Sequence, residues 1–216
     1  MMCPHQLLKR PGAGVPIPSH LTGGVDTKVA NLVEAAVTLE PADFCSHQIL
    51  DRVPWLFDDR ATYIGWKQSL AEALRVDPYA ICVVGSAATG VSLSPTKDFA
   101  LFHERSDIDV AVISHHHFDL AWRKIRDLSL QPKLLSNTKR EKIERHRRGL
   151  LFDGCIATDK ILSMLEYGPA WQDALLRAGK NPPVVGHTVK ARLYRDFESL
   201  RAYQLRSARH AREELV

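Results

Sequence analysis

The sequence predicts a protein of the α/β (α+β) class. Three observations predict it: short apolar runs bounded by turn residues, longer segments with a 3.6-residue apolar period on either side of them, and prolines at the joins. The 216 residues suffice for one domain whose core needs no disulfide support. No internal repeat is visible.

Residues 1–24 hold Pro4, Pro11, Pro16 and Pro18 with Gly12, Gly14, Gly23 and Gly24, and show no apolar period. They are expected to form a flexible tail. Helical patterning begins near Asp26, where Val29, Leu32, Val33, Ala36 and Val37 share one face. Pro41 suits the first position of a second helix carrying Phe44, Ile49 and Leu50. A third helix is expected from about Asp59 to Arg75, with Ile64, Leu70 and Leu74 inward, until Asp77-Pro78 breaks it. Residues 25–76 therefore read as an N-terminal helical segment, and 77–216 as a core with C-terminal helices.

Tyr79 to Val84 is a continuous apolar run ending in Gly85-Ser86, the pattern of a buried strand with a turn at its end. Asp107 to Ile113 is a second strand, with acids at alternate positions. Phe118–Leu130 and the strongly basic Thr138–Arg148 read as helices, and Leu150–Ile156 as a third strand. His115-His116-His117 falls between elements and reads as a loop, because consecutive residues converge poorly on one ion. Two helices start near Asp159 and Pro169, and Asn181-Pro182-Pro183 interrupts. A long final helix is expected over Val189–Arg212, with Leu193, Phe197, Leu200 and Tyr203 as its apolar stripe and Glu198 spaced to pair with Arg195 or Arg201.

Composition excludes some classes. Hydrophobic residues make up 45% and charged residues 25%, which rules out global disorder. No apolar run approaches the roughly 18 residues of a membrane helix. The N-terminus lacks the apolar stretch of a secretory signal, and Cys3, Cys45, Cys82 and Cys155 form no CxxC pair. Reduced thiols and a cytoplasmic location are expected, with Cys82 a small core residue. The net charge is +4. Lys139–Arg148 carries six positive and two negative side chains, and Lys190–Val216 seven and four. Any basic surface for a polyanionic partner comes from these two segments.

The chemistry is concentrated in Val84-Gly85-Ser86 and Ser106-Asp107-Ile108-Asp109-Val110. Alternation along a strand points Asp107 and Asp109 the same way, roughly 7 Å apart. Two adjacent carboxylates repel unless a cation or a shared proton neutralises them. Mg²⁺ suits them, because it is hard and takes one or two carboxylates plus substrate phosphates. Gly85 lets backbone approach a phosphate, and the amides and hydroxyl that follow it suit anionic oxygens.

Gly-Ser followed by Asp-x-Asp on the next strand resembles the DNA polymerase β-like nucleotidyltransferase superfamily. The motif spans about residues 79–114. The resemblance implies a small mixed sheet flanked by helices, here with N- and C-terminal helical extensions. It implies that Gly85 and Ser86 contact a nucleoside triphosphate, that Asp107 and Asp109 bind one or two Mg²⁺ ions, and that an acceptor hydroxyl attacks the α-phosphate and releases pyrophosphate. Ser106 and Lys160 are further candidates for the nucleotide.

Two departures stand out. Twenty residues separate Ser86 from Asp107, longer than the family usually carries, so an insertion is expected around Ser92–Glu104. Lys97 and Arg105 within it are candidates to meet phosphate. Many members also carry a third carboxylate on a later strand. Asp153, inside the third expected strand, is favoured as that catalytic and metal-binding acid. Asp159 is the alternative, with a competing role in the first turn of a helix. The acceptor stays open between RNA or tRNA, a protein, a small molecule and a second nucleotide, the last ranked lowest because such relatives usually carry a larger helical partner domain, with segments 139–148 and 190–212 as the surfaces for an RNA or protein acceptor. Toxin-like or defence roles fit a compact transferase. The rival class is a catalytically degenerate module of the same fold that binds nucleotide or RNA without turnover.

Overall fold

The structure, a computed structural model, describes residues 27–94, 97 and 99–215. The tail expected over residues 1–24 lies outside the described residues. The class is as expected: helices around a four-stranded mixed sheet.

The chain opens with α1 (Thr27–Thr38) and α2 (Pro41–Phe44), the latter widening into a π-helical turn over Cys45–Leu50. Leu32, Val33, Ala36, Phe44, Cys45 and Ile49 are buried along this stretch. The third helix, α3 (Arg60–Leu74), starts on Asp59, whose carboxylate accepts from Thr62 N–H, and stops at Arg75 in the left-handed region. These are the N-cap and C-terminal devices that satisfy orphan backbone groups. Trp66 on α3 donates its indole N–H to Ala178 O at 3.2 Å, which ties α3 to a helix more than a hundred residues later.

A 3₁₀ turn over Pro78–Ala80 leads into β1 (Ile81–Val84), and a single helical turn, α4 (Ser86–Thr89), follows Gly85. The long insertion returns on itself: Val91 bridges Leu101, and Ser92 N–H donates to Ala100 O. The buried Phe99 pins it to the core. Next come β2 (Ile108–Ile113), α5 (His115–Ser129), α6 (Asn137–Arg145) with a π turn over His146–Leu150, β3 (Cys155–Ala157), α7 (Thr158–Ile161) and α8 (Gly168–Ala178). The chain closes with β4 (Val189–Tyr194) and α9 (Phe197–Leu215).

Three expectations are corrected. His115–His117 is the first turn of α5 rather than a loop, because the Ser114 hydroxyl accepts from His117 N–H and starts the helix early. The third strand is only Cys155–Ala157, and Leu151–Gly154 before it is a turn. The largest correction is Val189–Arg212. Its first six residues are a strand, and the helix begins after Asp196, whose carboxylate accepts from Ser199 N–H. The charge pattern shifts with it: Arg195 pairs with Asp196, and Arg201 donates to Ser46 Oγ.

The misread strand lies in the middle of the sheet. The order is β1-β2-β4-β3, with β2 and β4 parallel and the outer pairs antiparallel. Side chains alternate between two cores. One face carries Ile81, Val83, Val110, Val112, Leu193 and Ile156 against α3, α5 and α8. The other carries Val84, Ala111, Tyr194 and Cys155 against α1, α2 and α9. This second face is apolar at one end and charged at the other. Val84, Asp109 and Lys190 stand side by side in register, and the next row on that face is Cys82, Ala111, Arg192 and Ala157. Cys45, Cys82 and Cys155 are free thiols. Among the described residues no helix is long and apolar enough to cross a membrane.

Candidate functional site

The charged end of the second face opens into a cleft of about 760 Å³. Its floor is the edge of the sheet where β1 ends and β2 and β4 begin, so Gly85, Asp107, Asp109 and Lys190 meet there. Ser86, Thr89, Ser92, Ser94 and Lys97 form one wall. Lys142 and Arg145 of α6, with Asp159 and Lys160 of α7, form the opposite one, and Tyr194 and Tyr203 close the far end.

Gly85 is fixed by two constraints. Its φ is +65°, and a β-carbon placed on it would lie 3.0 Å from Asp109 Oδ2. Only glycine meets both without strain. Gly85 O accepts from the amides of Ala88 and Thr89, which shapes the turn that carries Ser86.

The carboxylates differ in surroundings. Asp107 pairs with the Lys190 ammonium. Asp109 is open to the cleft but enclosed by its walls, and this desolvation raises its pKa. The Arg192 charge opposes that rise, Asp107 adds to it, and Lys97 and Lys190 oppose it in turn. Lys190 is held protonated by its hydrogen bond to Asp107, against the effect of burial, and by the charges of Asp107, Asp159 and Asp109. Arg192 stacks over the Tyr203 ring at 4.8 Å and donates to its hydroxyl. Arg206 also lies against that ring, at 5.4 Å.

His146 holds the α6 wall to the sheet. It is fully buried, accepts from Ala157 N–H at Nε2 (3.2 Å), and therefore donates from Nδ1 to Lys142 O (2.7 Å). The basic run around it splits in two. Glu144 engages Arg147 at 3.0 Å and Arg148 at 2.7 Å on the surface, while Lys142 and Arg145 line the cleft.

Searches of protein-family models, curated proteins and solved structures found no match to this chain.

Of the residues singled out in the sequence, Gly85, Ser86, Asp107, Asp109 and Lys160 share the cleft. Ser106 does not line it. Its hydroxyl accepts from His103 N–H and its carbonyl from His187 Nδ1–H, so it braces the loop ahead of β2. Asp153 is a correction. It lies in the turn before β3 rather than within the strand, and pairs with Arg206 at 2.7 Å, away from the aspartate pair. Asp159 does line the cleft, where it pairs with Lys160 at 2.8 Å. Within the insertion, Lys97 reaches the cleft, and Arg105 N–H donates to the His103 ring. Lys190 and Arg192 were not singled out for the site, because both were assigned to a helix. The signal for them was the alternation Val189-Lys190-Ala191-Arg192-Leu193, with every second residue apolar.

The charge balance shows what the cleft suits. Lys97, Lys142, Arg145, Lys160, Lys190 and Arg192 face Asp107, Asp109, Glu141 and Asp159, leaving a net excess of positive charge among the described lining residues. A polyanion is favoured in such a place. Among the described residues no three His, Cys, Asp or Glu side chains converge as a metal site. What the cleft offers a hard cation is the Asp107–Asp109 pair, whose oxygen donors fit Mg²⁺ in chemistry.

Proposed function

We propose that the chain is a Mg²⁺-dependent nucleotidyltransferase that moves a nucleoside monophosphate from a triphosphate to an acceptor hydroxyl, as a cytoplasmic enzyme. The contact between Gly85 and the Asp109 carboxylate carries this reading, because it sets a phosphate-binding turn directly against an acidic pair. Gly85 and Ser86 face the triphosphate, with the Ser86 hydroxyl free to donate to a phosphate oxygen. Lys97, Lys142, Arg145 and Arg192 surround it and neutralise its charge without reorganising, which is the form of catalysis phosphoryl transfer depends on most. Asp107 and Asp109 would hold the Mg²⁺, which supplies Lewis-acid stabilisation of the phosphate oxygens. The acceptor oxygen bonds to the α-phosphorus and pyrophosphate leaves.

Lys190 favours a second reading. On β4, beside Asp109 in register, stands a lysine whose ammonium already pairs with Asp107. A fold that neutralises its own acids in this way also suits a module that binds nucleotide without turnover.

Incubation with α-labelled triphosphates, Mg²⁺ and a cell extract separates the two. The enzyme reading expects label on an acceptor, lost in Asp107→Ala/Asp109→Ala. Nucleotide binding with no transfer to any acceptor would establish the binding module instead. Mass spectrometry of the labelled species identifies the acceptor as RNA, protein or small molecule.

A further inference from the structure

A second cavity, of about 630 Å³, lies beside the cleft. The two share the walls formed by Lys142, Asp159, Lys160, Lys190 and Ala191. Its size falls in the range of pockets that enclose small ligands. Leu162, Leu175, Leu176 and Val185 give it an apolar lining. Leu176 is 60% exposed and Val185 58%, so two large apolar side chains of the lining are open to solvent. Lys180 also lines it, so the apolar side chains share the cavity with four lysines, Lys142, Lys160, Lys180 and Lys190. Among the described lining residues the single carboxylate, Asp159, is paired with Lys160.

We infer that this cavity is the acceptor pocket, and that the acceptor is a nucleotide unit. The inference rests on the transferase reading and names the substrate for it. An apolar body flanked by anionic charge is what the lining complements, which disfavours a polycationic small molecule. A nucleotide meets both demands, with its base against Leu175, Leu176 and Val185 and its phosphate toward the lysines. Its hydroxyl then stands at the boundary lined by Lys142, Asp159, Lys160 and Lys190, which both cavities share, and meets the α-phosphate there. Asp159 belongs to both cavities and takes the hydroxyl proton. The acceptor oxygen forms a bond to the α-phosphorus, the bond from that phosphorus to the bridging oxygen breaks, and pyrophosphate leaves with the electron pair. The nucleotide unit has two sources, a free mononucleotide or the terminal residue of an RNA.

Transfer is measured with labelled triphosphate and Mg²⁺ against two acceptors, adenosine 5′-monophosphate and a four-nucleotide RNA. Leu176→Trp fills the opening from an exposed position, and Lys180→Glu reverses its charge. Leu134→Trp, at an exposed position that lines neither cavity, is the control for folding and solubility. Each pocket variant is expected to raise the acceptor KM about tenfold or more, with triphosphate affinity within about twofold of the parent. The acceptor that responds, mononucleotide or RNA, identifies the source. Unchanged acceptor KM in both variants overturns the inference, as does loss of triphosphate binding along with it. Should the parent protein transfer to neither acceptor, the transferase reading is what fails. Equilibrium dialysis of labelled adenosine 5′-monophosphate in the same samples then decides the pocket by itself: weaker binding in both variants supports a nucleotide site there, and equal binding overturns it.

Discussion

The α-carbon of Gly85 is set so close to the Asp109 carboxylate that a β-carbon there would come within 3.0 Å of Oδ2. Gly85→Ala must therefore strain a backbone at φ +65° and push on the acidic pair at once. The expected cost in stability is about 1–2 kcal/mol, read from denaturant midpoints. The loss of triphosphate binding is expected to be larger than that, because the displaced group is Asp109 itself. Gly149→Ala is the control: beyond its own turn no described atom lies within 4 Å of the added carbon, and little change is expected. Wild-type triphosphate affinity in Gly85→Ala would contradict the assignment of this turn.

Lys190 and Asp107 are each about two-fifths exposed, at 40% and 39% of their side chains. Solvent screens such a pair, so Lys190→Met is expected to cost less than about 1 kcal/mol of stability. Its effect on cation binding has the opposite sign. With the internal ammonium removed, Asp107 has lost its paired counter-charge, while Asp109 keeps those of Arg192 and Lys97, and Mg²⁺ is expected to bind more tightly. Isothermal titration of Mg²⁺ into both proteins checks this. Weaker Mg²⁺ binding in the variant would mean that Lys190 organises the site rather than competing for it.

His146 gives the α6 wall a pH dependence. Burial lowers its pKa below the ordinary 6.5, outweighing the Nδ1–H hydrogen bond to Lys142 O and the Asp159 charge. Protonation of Nε2 would set an N–H against the Ala157 N–H that it now accepts. Between the lowered native pKa and about 6.5, the unfolded chain binds more protons than the folded one. Stability from this group is complete above pH 6.5 and is lost as pH falls through that window. His146→Asn is expected to cost about 1–3 kcal/mol at neutral pH, through an unsatisfied Ala157 amide. It is also expected to flatten the fall in urea midpoint between pH 7.5 and 5.5 relative to the parent. An identical fall in both proteins would assign the acid sensitivity to other groups, His117 among them, whose pKa burial also lowers.

What could be read in the sequence, and what could not, follows from the range of the forces involved. β1, β2, α3 and the glycine-serine turn were legible because their signals are local: apolar runs, the helical period that ends at Asp77-Pro78, and alternating acids. β4 was not. Lys190 and Arg192 look like part of a basic helix until the strand pairs with β2 on one side and β3 on the other. Those pairings join residues 81 positions apart on the β2 side and 35–39 apart on the β3 side, and a 3.6-residue window over 189–212 happens also to contain a stripe. Asp153 was misplaced for a related reason. Leu150 to Ile156 is apolar enough for a strand, but Gly154 at φ +63° ends a turn within it. The partnership of Asp153 with Arg206 on α9 depends on tertiary packing.

The two candidate third carboxylates make opposite forecasts. Asp153 is engaged by Arg206 outside the cleft, and the pair is partly exposed, at 30% and 54% of the side chains. Asp153→Asn is expected to lower stability by less than about 1 kcal/mol and to leave transfer unchanged. Asp159 lies on the wall between the two cavities and adds to the field around Lys190. Asp159→Asn is nearly isosteric, so the α7 turn is expected to persist. Transfer is expected to fall by about 10²-fold or more through kcat, the usual cost of removing a positioned acid or base. Triphosphate affinity is expected to hold, because Asp107 and Asp109 are untouched. Single-turnover transfer for both variants, alongside triphosphate binding, compares them directly. A kcat loss in Asp153→Asn with normal turnover in Asp159→Asn would reverse the assignment and place the working acid on the far side of β3.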